Sequence, residues 1–307
     1  MIMSRITKDL AEIVGRTPLL WPGWLPLAVL PVAPFFCGVH YPRWVLMWMV
    51  ALIVYVSCKW LTWWDEGRWI KATRARQCAY LLAWPGMSAR EFLDEPIARP
   101  WPDLPLWFYA AAKTGLGAVI VWGVVRKIPP EHELLAGWTG LIGLVFLLHF
   151  GLFHLLALFW QRAGLNAQQI MRAPVLATSV SEFWNRRWNV AFNQLVHRYV
   201  FRPLARRANL AVACLTAFFV SGVIHDLVIS VPAGGDYGFP TVYFMVQGCA
   251  VLFEHSQIGR RLGLRGGWRG WVFMVVVTAG PAFWLFHPRF IRNVILPMLA
   301  AIGATGR

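Results

Sequence analysis

Charge is scarce in this 307-residue sequence, and acid is scarcer still. Asp, Glu, Lys and Arg together make up 14%, where soluble chains carry about 25%, and only 14 positions are Asp or Glu against 29 Lys and Arg. So low a charge density excludes most water-soluble folds, because a chain of this size could not hide its apolar surface in one core. Cysteine is also sparse. Cys37, Cys58, Cys78, Cys214 and Cys249 form no CxxC pair, are odd in number and mostly lie in apolar runs, which excludes a zinc-ligand spacing and a disulfide framework. No GxSxG elbow for a nucleophilic serine occurs, and GLGAVI from Gly115 lacks the third glycine of a dinucleotide fingerprint. His149 and His154, five apart, point in different directions on a helix and cannot share a metal as an i, i+4 pair can. Tandem repeats, low-complexity tracts and linkers are missing, so residues 1–307 read as one domain. The opening stretch MIMSRITKDLAEIVGRTP has no short apolar core with a cleavage site and reads as mature sequence, not a signal peptide.

What the chain has in excess is apolar side chains, 58% of all residues, arranged in runs long enough to cross a bilayer. Clear runs cover Trp44 to Leu61, Leu104 to Val125, Leu134 to Trp160, Leu210 to Val231, Phe239 to Ile258 and Trp271 to Phe286. Leu19 to Cys37, broken by four prolines, and the short Phe290 to Ala304 bring the expectation to about eight spans in an all-α, multi-pass bundle. The net charge of +15 then reads as topology, not as nucleic-acid binding. With both termini cytoplasmic, the inner segments collect most of the basic residues, including eight arginines from Arg162 to Arg207. The outer loops hold only Arg43, Arg126, Lys127, Arg289 and Arg292. In a bacterium this topology implies the inner membrane. The half-length patch Tyr80 to Trp84 is expected at the interface.

Two polar features stand out against this background. FWNRRWNVAFNQLVHRYVFR, from Phe183 to Arg202, reads as an amphipathic helix with Trp184, Trp188, Phe192, Leu195 and Tyr199 on one stripe. Asn185, Asn189, Asn193 and His197 recur every four residues on another, flanked by Arg186, Arg187, Arg198 and Arg202. Either this helix lies in the headgroup layer with its arginines on lipid phosphates, or its asparagines line a reaction chamber and its arginines face an anionic substrate. In the following span His225 and Asp226 interrupt an otherwise lipid-compatible run. Burying such groups is expensive, which makes them a site hypothesis, although a histidine hydrogen-bonded within the bundle is the plainer alternative. Cys214, Phe218, Ser221 and His225 share one face, as a channel wall would. Glu254, near the inner end of its span, reads either as a partner of Arg260 or as a second polar wall.

The order SEFWNRRWNVAFNQLVHRYVFRPL, FFVSGVIHDL and FPTVYFMVQGCAVLFE resembles the wax synthase-like branch of the membrane-bound O-acyltransferase (MBOAT) family, with similarity from about residue 59 to 297. Asn189 and His225, 36 residues apart, match that family's asparagine in a Trp-rich segment and its membrane-embedded histidine. Asn185 stands where the branch carries glycine, and HDL where it carries HEL. The resemblance implies transfer of a fatty acyl group from acyl-CoA to the hydroxyl of a lipidic alcohol, making a wax-type ester. Neither metal nor further cofactor is implied, and the bilayer is the other partner. His225 would be the general base, and Asn189 would orient it or donate to the developing oxyanion. Arg186, Arg187, Trp188, Asn193, Arg198, Arg202, Ser221 and Glu254 would contact acyl-CoA or line its tunnel. Acceptors such as a sterol, a glycerolipid or an envelope glycan fit the same family. Outside it, a transporter with His225 and Asp226 as a proton relay is the alternative.

Overall fold

The computed structural model describes residues 21–35, 41–94 and 101–306. The opening stretch MIMSRITKDLAEIVGRTP, Cys37 and both ends of the Leu19 to Cys37 run lie outside the described residues. Among those described the chain is helical, without β-strands. It is an integral membrane protein with a multi-pass helical architecture.

The proline-interrupted α1 (Pro22–Pro34) leads to α2 (Arg43–Asp65), a run of 23 residues free of glycine and proline. At 1.5 Å per residue it is about 34 Å long, enough for a hydrocarbon core of about 30 Å. α1 begins beside the far end of α2, where Trp60 Nε1 donates to Pro22 O at 3.1 Å. Two short helices follow, α3 (Arg74–Ala83) and α4 (Ala89–Leu93). Tyr80 and Trp84 are buried between them and α2, with Tyr80 OH at 2.7 Å from Thr62 Oγ1 and Lys59 Nζ 3.1 Å from the Tyr80 ring centre. Of the patch expected at the interface, Tyr80 and Trp84 are core contacts, where the buried Lys59 finds an aromatic face and, at its end, Gly86 O, while Leu82 is 78% exposed.

The long hairpin α5 (Leu104–Lys127) and α6 (Glu133–Arg162) packs through glycine. A Cβ on Gly117 would sit 2.3 Å from Leu147 N, the close backbone approach that small residues permit in membranes. α7 (180–187) and α8 (190–205) follow, with α8 held at the Asp65 end of α2 through Arg198. α9 (Leu210–Ala233) and α10 (Phe239–His255) form the other tight pair, with Gly222 at the crossing, where a Cβ would lie 2.6 Å from Thr241 Cα. After the short α11 (Gln257–Arg261), α12 (Gly267–Leu285) returns and meets α13 (Pro288–Ala301) at a bend of 56°.

Four of these helices are long and apolar enough to cross a membrane individually, and the bent α12–α13 pair makes a fifth candidate. The expectation that Phe290 to Ala304 crosses back to the basic side is corrected by its contacts. α13 starts where Arg289 Nη1 donates to Gly234 O at 3.2 Å and Asn293 Nδ2 to Ala233 O at 2.9 Å. It ends where Trp122 Nε1 donates to Ile302 O at 2.9 Å and Arg126 Nε to Gly303 O at 3.1 Å. Both ends therefore lie on the side of Arg43 and Arg126, opposite Arg162 and Arg198, and the C-terminal residues do not rejoin the basic loops. A helix of this length, introduced by a proline-flanked bend, folds back against the paired ends of α5 and α6 around Val125 and Ala136.

Candidate active site

A cavity of about 720 Å³ opens between α7, α8, α9 and α10. Ser181, Trp184, Asn185 and Arg186 line it from α7, with Trp188 and Asn189 at the junction. Phe192, Asn193, Val196, His197 and Phe201 line it from α8. Opposite stand Leu210, Cys214, Ala217, Phe218, Ser221 and His225 of α9, and Phe244, Val251, Leu252 and His255 of α10. The asparagine row and the small-residue stripe of α9, separate features in the sequence, are thus two walls of one chamber.

The Trp-rich segment is not one continuous amphipathic helix. It breaks at Trp188, which is extended (φ −95°, ψ 122°), and Asn189, which is left-handed (φ 40°, ψ 58°). Asparagine is among the few non-glycine residues that adopt this conformation readily. The backbone groups freed by the break are taken by residues 170–172: Arg172 N donates to Arg187 O at 2.8 Å, Val190 N to Ile170 O at 3.0 Å, and Asn189 N to Met171 Sδ at 3.2 Å. Asn189 then caps α8, its Oδ1 accepting from Phe192 N at 3.3 Å. Because an N–H can only donate, the atom facing it is the oxygen, and the Asn189 Nδ2 group is left for the chamber.

His225 is half-buried, packed against Phe244 with ring centres 4.4 Å apart and with Phe192 edge-on at 6.3 Å. Its Nδ1 lies 2.7 Å from Ser221 O. A carbonyl only accepts, so Nδ1 carries the proton and Nε2 keeps its lone pair. No hydrogen bond from the described residues reaches Nε2, and the ring forms part of the cavity wall. An imidazole held in this tautomer can accept a proton at Nε2 from a group in the chamber. Asp226 next to it is fully engaged: Oδ1 accepts from Gly238 N at 2.8 Å and Ser230 Oγ at 2.9 Å, and Oδ2 accepts from Thr241 N at 3.0 Å and from Thr241 Oγ1.

Of the other residues singled out from the sequence, Arg186, Trp188, Asn193 and Ser221 line the chamber. Four do not. Arg187 is drawn back to Glu182, with Nε to Oε1 at 2.7 Å, and to the carbonyls of Arg172 and Ala173. Arg198 pairs with Asp65 at 2.8 Å and with Glu66, locking α8 to the end of α2. Arg202 is exposed away from the cavity. Glu254 is fully buried and pairs with neither Arg260 nor the chamber. Its Oε2 accepts from Val180 N at 2.8 Å, and its Oε1 from Ser181 N at 3.0 Å and from Ser181 Oγ. Arg187, Arg198 and Glu254 fit a structural use, because scarce carboxylates capture the nearest donors. Sequence reading missed Phe244, one phenylalanine in an apolar run with no periodic signal. His255, next to Glu254 in the sequence, also lines the wall.

Outside the spans, the backbone N–H of Thr178 and then the Arg187 guanidinium hold the Glu182 carboxyl below the usual carboxylate range. This pair pins the start of α7 beside the chamber.

Comparison with known proteins bears on the same region. Residues 167–246, which include both Asn189 and His225, match the model of the Membrane bound O-acyl transferase family. "Probable long-chain-alcohol O-fatty-acyltransferase 1" of Arabidopsis thaliana is 30% identical over 144 residues, 42% of this chain and 41% of that protein. "Long-chain-alcohol O-fatty-acyltransferase" of Simmondsia chinensis is 29% identical over 144 residues, 42% and 40% of the two chains. "Acyl-CoA--sterol O-acyltransferase 1" of Arabidopsis thaliana is 28% identical over 159 residues, 46% and 45%. The matches span less than half the length of these relatives. The family-model match falls on the segment that builds the chamber, and in that segment the chain is similar to the membrane-bound O-acyltransferase family.

Proposed function

We propose that the protein is a membrane-embedded O-acyltransferase that moves a fatty acyl group from acyl-CoA to the hydroxyl of a long-chain alcohol. The observation that carries this reading is the unpartnered Nε2 of His225 on the wall of the same cavity as Asn189. In the proposed reaction Nε2 takes the proton of the acceptor hydroxyl as its oxygen attacks the thioester carbonyl. The Asn189 Nδ2 group donates to the oxygen that becomes negative. Collapse of the tetrahedral intermediate forms the ester and breaks the C–S bond, and the imidazolium returns its proton to the departing CoA sulfur. One such donor is worth about 3–4 kcal/mol in a site closed to bulk water, and an apolar chamber also slows hydrolysis of the thioester.

The end of the chamber near His197 and His255, on the side of the basic segments, is the natural entry for the anionic donor, with Arg186 as the arginine that reaches it. By the positive-inside rule that side is cytoplasmic, and in a bacterium the membrane is the inner one. A sterol acceptor is the second reading, favoured by the likeness to a relative named for sterol acylation.

The test uses purified full-length protein in lipid nanodiscs with a panel of acyl-CoA donors, long-chain alcohols and a sterol. Ester formation with matching CoA release, lost in His225→Ala while the protein remains folded, is the expected result. Full activity of His225→Ala sinks the assigned base. Ester from the sterol alone moves the acceptor to the second reading.

A further inference from the structure

We infer that Asp226 and Glu254 are positioning residues: each clamps one end of α10, and through that helix they set the registry between His225 and Asn189. This rests on the acyltransferase reading above. The chain has only 14 acidic residues, and two of them, well inside the bundle, grip opposite ends of the same helix. Asp226 follows His225 directly and accepts from the backbone of Gly238 and Thr241, the free N–H groups at the start of α10, as well as from the Thr241 hydroxyl. Behind it, Ser230 Oγ donates to Asp226 and lies 3.3 Å from His287 Nε2, while His287 Nδ1 lies 3.0 Å from Asp236 Oδ2. Ser230 and His287 are fully buried, so this network leaves Asp226 little freedom. At the other end Glu254 takes the backbone N–H groups of Val180 and Ser181, which open α7, and α7 ends at the break that holds Asn189.

Between the two clamps α10 acts as a ruler. Thr241 and Glu254 are about 20 Å apart along the axis at 1.5 Å per residue. In that interval Phe244 meets the His225 ring at 4.4 Å, and Gln247 Oε1 accepts from Trp184 Nε1 at 3.3 Å while its Nε2 donates to Val277 O at 2.9 Å. The base sits on the element joined to one end of α10, and the asparagine on the element joined to the other. Stability alone is a poor explanation for a half-buried Asp226 and a fully buried Glu254, because well-packed apolar groups often serve it as well. Their value lies in direction, since each carboxylate fixes where a neighbouring backbone begins.

The experiment measures kcat and donor KM for Asp226→Asn, Glu254→Gln and the double variant in nanodiscs, beside His225→Ala. Each single variant is expected to lower kcat about tenfold to a hundredfold, the scale of a sub-ångström to 1 Å misplacement, with donor KM within about twofold. The double variant should lose less than the product of the two, since both act through the placement of one helix. Wild-type kcat, a change in KM alone, or fully multiplicative losses overturn the inference. Where the acid variants fail to fold, Thr241→Val and Ser181→Ala remove one clamp donor each. They should lower kcat at unchanged KM and melting temperature, and wild-type kcat in both overturns the role. Inactive His225→Ala with wild-type clamp variants defeats the positioning role alone, whereas active His225→Ala defeats the reading beneath it.

Discussion

Two helix pairs carry histidines into the bilayer, α5–α6 and α9–α10, and both close on glycine, Gly117 in one and Gly222 in the other. Their histidines are spent differently. His154 of α6 has both nitrogens occupied, Nδ1 by Lys113 Nζ at 2.8 Å and Nε2 by Gln169, and it is buried away from the cavity. His225 gives one nitrogen to a carbonyl and presents the other to the chamber. A polar residue inside a span is therefore a weak sign of chemistry. The stronger sign is an imidazole with one nitrogen accounted for and the other facing open volume.

The contrast is broken most sharply by paired substitution. His225→Ala is expected to cut CoA release by about 10²–10⁴-fold, the usual worth of a general base, with little change in thermal midpoint. His154→Ala is expected to keep turnover and lose about 1–3 kcal/mol, because Lys113 and Gln169 are left without their partner in a dry place. Turnover and melting of the two variants in the same nanodiscs decide it, and equal losses of turnover would erase the distinction. Next in size is Asn189→Gly. Glycine accepts the left-handed backbone, so folding should survive while kcat falls about 10²–10³-fold for want of the amide. An unchanged kcat would leave Asn189 only its cap.

A third test concerns the glycine at the crossing. Gly222→Ala pushes a methyl group into Thr241 and should cost about 1–3 kcal/mol together with part of kcat, because Phe244 and His225 move apart. Gly115→Ala, on a helical face with nothing within 4 Å, should leave both properties near wild type. The smallest effect is electrostatic. The depressed Glu182 carboxyl stabilises α7 at pH values above the ordinary carboxylate range, and that contribution disappears as pH falls through its lowered folded value. With a quarter of the side chain exposed, the loss in Glu182→Gln should stay below about 1 kcal/mol. Acid melting curves of the variant and wild type should converge at low pH.

Much of this was readable from residues. Long apolar runs do not depend on tertiary context, so α2, α5, α6 and α9 were legible, as was a polar face on α9 ending at His225. The spacing of asparagines located a chamber wall but hid the break within it, because 3.6-residue periodicity persists across a single left-handed residue. The course of α13 was illegible for another reason. A short, mostly apolar helix satisfies hydropathy whether it crosses or folds back, and carbonyls met by Trp122 and Arg126 decide between the two. The fates of Arg187, Arg198 and Glu254 depend on partners at sequence separations that no local pattern encodes. Phe244 likewise acquires meaning only when Gly222 lets α10 close on α9.

The left-handed turn at Asn189 also limits how this position can drift. Its backbone geometry disfavours nearly every residue except glycine, asparagine and aspartate, while the donor role proposed for its side chain rules out glycine, which has no side chain, and ionised aspartate, which only accepts. One amino acid satisfies both demands. Asn185 and Asn193 share the chamber wall but have ordinary negative φ, so selection on them is through the side chain alone. Of three asparagines in one row, the middle one is therefore the least replaceable, and divergence in acceptor preference should accumulate at its two neighbours first.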